Sequence, residues 1–97
     1  MTYLILIEMD PSAIPRDLKE RMNIMTPFIE MTKKDLNSGE LKMWGVSPDG
    51  YNGFAISNQD LKTIYTKAQI VSPYAKFKVM PMLSLDEAVD AMKAMQP

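Results

Sequence analysis

Tyr3-Leu4-Ile5-Leu6-Ile7 is apolar at every position. A strand points alternate side chains to opposite faces, so a strand with this composition has to be covered on both sides. The run is too short to span a bilayer, and Glu8 and Asp10 follow it directly. What surrounds the strand decides what can cover it.

Asp10-Pro11-Ser12 ends the strand, and Pro15 suits the first turn of a helix, where a missing N–H costs nothing. Leu18, Met22, Met25, Ile29, Thr32 and Leu36 then recur at spacings of four and three, which is one face of a long helix. Pro27 falls inside that helix and is expected to kink or break it near residues 23–26. Asn37-Ser38-Gly39 is a helix stop. Residues 40–47 read as a strand with Leu41 and Met43 on one face and Lys42, Trp44 and Val46 on the other. Pro48-Asp49-Gly50 is a turn, and Tyr51 to Ser57 is the returning strand. Ser57 or Asn58 is expected to cap a helix whose apolar face is Leu61, Ile64, Tyr65, Ala68 and Val71, bounded by Pro73. Residues 74–80 form the last strand, Ala75, Phe77 and Val79 opposing Lys76, Lys78 and Met80. Ser84-Leu85-Asp86-Glu87 is a capping box that opens a short helix, with Ala88, Met92 and Met95 expected inward.

The order is βαββαβ with a short final helix: an α+β chain of ferredoxin-like class, forming one domain over residues 1–97. Right-handed crossovers put the first and third strands in the middle of a four-stranded antiparallel sheet. The strand lysines fall on the second and fourth strands, the edges, where charge discourages stray pairing. Two helices can cover only one face of that sheet. A second copy of the chain is the simplest cover for the other, which predicts a twofold homodimer.

Composition narrows the function. A hydrophobic share of 46% and a charged share of 24% are ordinary for a globular domain, and 97 residues bury only a small core. The net charge of −1 gives no pull toward nucleic acid or anionic lipid. The central strands carry aliphatics rather than the aromatics on which bases stack. No basic segment precedes the apolar run, so no signal peptide is expected, and neither nucleic acid nor membrane is an expected partner; the predicted location is cytoplasmic. With no cysteine and no histidine, the usual zinc, haem and iron–sulfur ligand sets are missing, and neither metal nor cofactor is expected.

Lys42-Met43-Trp44, Tyr51-Asn52-Gly53-Phe54-Ala55-Ile56, Leu61 and Ile64 on a helix, and Ser72-Pro73-Tyr74-Ala75-Lys76-Phe77-Lys78-Val79 follow one another in an order that resembles a known family. Together with Glu30-Met31 and Gly39 upstream, they are similar to the muconolactone-isomerase-like branch of the dimeric α+β barrel superfamily over about residues 30–83. The resemblance implies a homodimer or larger ring with a pocket between sheet and helices. It implies a helical glutamate at Glu30 and a tryptophan strand at Trp44. The histidine that the isomerase pattern carries after the hairpin has no counterpart, because Thr63 and Ile64 occupy that region.

The candidate site residues follow. Glu30 is the candidate general base, since a carboxylate leaning over an apolar rim can be tuned for proton abstraction; otherwise it is a solvated glutamate near Lys33 and Lys34. Trp44, the only tryptophan, could stack on a flat ligand or simply pack. Tyr51, Tyr65 and Tyr74 each carry a hydroxyl that could orient a ligand. Among ten methionines, Met22, Met25, Met43, Met80, Met82 and Met92 could line an adaptable pocket or fill a core. The expected function is binding of a small apolar or aromatic-derived organic ligand between sheet and helices. A cofactor-free isomerase or monooxygenase, and a structural or assembly protein without a ligand, are the alternatives.

Overall fold

A computed structural model describes residues 1–96. The elements are β1 (Thr2–Met9), α1 (Leu18–Ser38), β2 (Leu41–Val46), β3 (Asn52–Ser57), α2 (Leu61–Val71), β4 (Ala75–Met82) and α3 (Leu85–Ala94). The sheet order is β2-β3-β1-β4 with every pair antiparallel, so β3 and β1 are central as the patterns predict.

Local chemistry sets the boundaries. The Asp17 carboxylate accepts the Glu20 N–H at 3.0 Å and caps α1, and Gly39 ends it at φ 82°, a left-handed conformation that glycine adopts without strain. α1 runs unbroken through Pro27, so of the kink or break expected there the break does not occur. The carbonyl it deprives of a donor belongs to Asn23, and both residues are exposed, so water can satisfy that group. α2 is capped by Asp60, whose carboxylate accepts the Thr63 N–H at 2.8 Å, rather than by Ser57 or Asn58. Ser57 is instead fully buried, and its hydroxyl accepts the Gln59 N–H at 3.0 Å.

The core lies where β1 and β3 meet the helices: Tyr3, Ile5, Ala55, Leu41 and Ile64, with Ile7, Phe77 and Val79 packed against it. The expected facing of β2 needs correction. A bulge between Leu41 and Met43 inserts one extra residue opposite β3, so Leu41 pairs with Ser57 and Trp44 with Ala55. Leu41 therefore shares the helix-side face with Trp44, and Met43 turns to the other side with Gly45. On α2 the expected face is also shifted. Ile64 and Val71 are buried, but Leu61 and Tyr65 are exposed, and Lys67 takes a place on the inward side.

The opposite face of the sheet has an apolar centre, bordered by Glu8, Asn52, Lys76 and Lys78. Register aligns Met43, Ile56, Leu4 and Met80 in one row across the four strands, with Phe54 and Leu6 in the next row. α3 makes little contact with the other elements. Met92 of α3 and Met95 at its C-cap, expected inward, are 67% and 83% exposed, because no other described element packs against that side. The radius of gyration is accordingly 16.1 Å, where a compact chain of this length has about 12.5 Å.

Candidate functional site: an apolar cavity with a charged end

The apolar stripe of α1 does not seal onto the sheet. Met22, Met25, Ile29, Thr32 and Leu36 of that stripe line a cavity of about 580 Å³ between α1 and the sheet. Ile7 of β1, Trp44 of β2, Gly53 of β3, and Phe77 of β4 supply the sheet side. Gly53 matters here because a Cβ on it would lie 2.9 Å from the Gly45 carbonyl oxygen. Phe28 of α1 and Tyr74 ahead of β4 also line the cavity, with ring centroids 6.1 Å apart at 53°. Such tilted pairs are a favourable aromatic arrangement. Lys33, an exposed residue, is the one charged residue in this lining.

A smaller cavity of about 60 Å³ abuts the first. The two share Ile7, Met31, Thr32, Trp44 and Phe77 as walls. Its remaining lining includes Asp35 of α1, Lys67 of α2 and Gln59. The Lys67 ammonium donates to Asp35 Oδ2, joining the two helices. Asp35 is 7% exposed, so the pair is largely withdrawn from water. Gln59 is occupied elsewhere: its Nε2 donates to Glu40 Oε2 at 2.8 Å, and its Oε1 accepts from the Ser57 hydroxyl. The Thr32 hydroxyl donates to the Phe28 carbonyl at 2.8 Å.

Of the residues singled out from sequence, Trp44 and Tyr74 lie on the cavity. Trp44 walls both chambers and is 41% exposed, leaving ring surface for a ligand. Tyr51 sits exposed at the turn beyond β2, beside the lining but not in it. Tyr65 is 66% exposed on α2 and lines neither chamber. Glu30 is exposed on α1 and likewise lines neither. Of the six methionines considered, Met22 and Met25 line the cavity, joined by Met9 and Met31. Met43 and Met80 lie on the open sheet face, level with Ile56 and Leu4.

Asp35 and Lys67 were not anticipated as site residues. The signal was present: each is a charge set within the inward face of its helix, Asp35 between Thr32 and Leu36 and Lys67 between Ile64 and Val71. Opposite charges on the buried faces of two helices that cover one sheet are natural partners. Among the described residues no group of three or more carboxylates is gathered to hold a metal ion.

No protein-family model matches the chain, and no curated protein does either.

Proposed function

We propose that this chain is a small dimeric α+β barrel protein of muconolactone-isomerase-like type that binds a small, largely apolar or aromatic-derived organic molecule between sheet and helices. The observation that carries this reading is the cavity of about 580 Å³ walled by methionines, Phe28, Phe77, Trp44 and Tyr74. Its volume falls within the range of small-molecule sites, about 300–1,000 Å³, and its lining is of the kind such sites use. Thioethers conform to irregular ligands, and Trp44 offers a flat stacking surface. The apolar row on the uncovered sheet face, and the unpacked apolar side of α3, support association with a second copy.

Binding without turnover is the better-supported form of this reading. The isomerase or monooxygenase alternative relied on Glu30, which is exposed and outside both chambers. The test is native mass spectrometry of freshly purified protein for a retained small molecule, followed by equilibrium dialysis against 2-methylnaphthalene. Micromolar binding is expected, and Thr32→Phe, which fills the junction of the chambers, should abolish it. Absence of binding by the wild-type chain, or equal binding by that variant, overturns the reading.

A further inference from the structure

The Asp35–Lys67 pair has no evident stabilising purpose. A buried ion pair replaced by well-packed apolar residues usually leaves a protein as stable or more so. Here the pair lines the smaller chamber, whose walls are otherwise apolar except for Thr32 and Gln59. The ammonium engages only Asp35 Oδ2, and among the described residues no hydrogen bond reaches Asp35 Oδ1 or uses the other Lys67 protons. Asp35 is also the one carboxylate lining either chamber. The space beside it, about 60 Å³, exceeds what one water molecule needs.

We propose that Asp35 and Lys67 together are the polar anchor of the cavity, and that they select a flat apolar ligand bearing one uncharged hydroxyl, a phenol or enol. The inference rests on the reading that the cavity binds an organic molecule. The chemistry of the pair gives the class. A hydroxyl both donates and accepts, so its O–H can donate to Asp35 while its oxygen accepts from Lys67. Both bonds are charge-assisted and therefore strong, and the low-dielectric walls strengthen them further. A carboxylate in that place would face Asp35, and an ammonium would face Lys67, so either ion meets a like charge. A purely apolar ligand would strip water from both groups and return nothing. The rings of Trp44 and Phe77, which wall both chambers, hold the flat part of the ligand while its hydroxyl reaches the pair.

The test compares 2-naphthol, uncharged at pH 7, with 2-methylnaphthalene, which has the same rings and a methyl in place of the hydroxyl. Dissociation constants come from equilibrium dialysis with the 97-residue chain. The wild type should bind 2-naphthol on the order of tenfold more tightly, equivalent to about one well-made polar contact. In Asp35→Leu with Lys67→Met the two dissociation constants should come within about twofold of each other, erasing the preference. If circular dichroism shows that this double variant does not fold, Asp35→Asn with Lys67→Gln keeps a polar but uncharged pair, and the preference should fall several-fold. Equal wild-type affinities for the two probes, or a preference that survives in a folded double variant, overturn the anchor while leaving the cavity reading intact. If neither probe binds the wild type, the cavity reading fails, and the anchor fails with it.

Discussion

The ring of Phe54 lies over Gly45, its partner on the adjacent strand, and occupies the space a side chain at Gly45 would need. On the other face of the same strand pair, Gly53 meets the Gly45 backbone: a Cβ there would stand 2.9 Å from the carbonyl oxygen. The two glycines thus face different obstacles. A ring on an open face can swing aside, and a carbonyl fixed in a sheet cannot. Gly45→Ala should cost about 1 kcal/mol and Gly53→Ala about 2 kcal/mol, in the range for overpacking. Urea denaturation of the two variants gives the order; the reverse order would contradict this packing.

The ion pair makes a second prediction, about stability alone. Removing one partner strands a charge away from water. Asp35→Ala, which leaves the Lys67 ammonium unpaired, should destabilise the chain by about 3 kcal/mol. Asp35→Leu with Lys67→Met should recover most of that loss. Melting temperatures of the single and double variants measure the coupling, and simple additivity would show that the two groups do not act as a pair.

Acid should unfold the chain partly through its caps. The Thr63 backbone N–H, donating to Asp60, holds that carboxyl below its ordinary value of 3.8. The Ser47 hydroxyl, followed by the Tyr51 N–H, does the same for Asp49 in the turn. A group that titrates lower when folded contributes stability that is complete above its unfolded value and is lost as pH falls through the folded one. Denaturant midpoints should therefore hold steady above about pH 5 and decline progressively below the ordinary carboxyl range. Asp60→Asn preserves the cap but not the titration, so its decline should be shallower.

The uncovered sheet face gives a fourth prediction. At micromolar concentration, light scattering should report at least twice the chain mass of 11.0 kDa. Leu6 pairs with Phe54 on one side and Lys78 on the other, near the middle of that face. Leu6→Lys should place a new charge there and yield folded monomer. A wild-type chain that stays monomeric would remove this support for the barrel.

The architecture was legible because its signals are long and periodic. β1 is apolar at both parities, α1 carries a stripe over five turns, and the capping box of α3 appears with both reciprocal bonds in place. The site was legible only in part. Trp44 and Tyr74 reach the cavity, yet Glu30 and Tyr65 are exposed and line neither chamber, because spacing alone does not fix the rotation of a helix about its axis. On α2, Leu61 is as apolar as Ile64 and Tyr65 carries an apolar ring, and hydrophobicity misses the reason Lys67 turns inward, which is a partner 32 residues away. The methionines of α3 looked inward by pattern, but their helix extends past the edge of its own fold.

The bulge at Lys42 has a consequence for how this protein can change. β2 is written in two phases, and a single residue marks the step between them. Deleting that one codon would alter no other side chain, yet it would restore strict alternation along the strand. Leu41, Met43 and Trp44 would keep Ser57, Ile56 and Ala55 as partners, so Leu41 would stay in the core and Trp44 on the ligand chamber. The binding surface is therefore insensitive to the loss of this one residue, a tolerance that a comparison of substitutions alone would overlook.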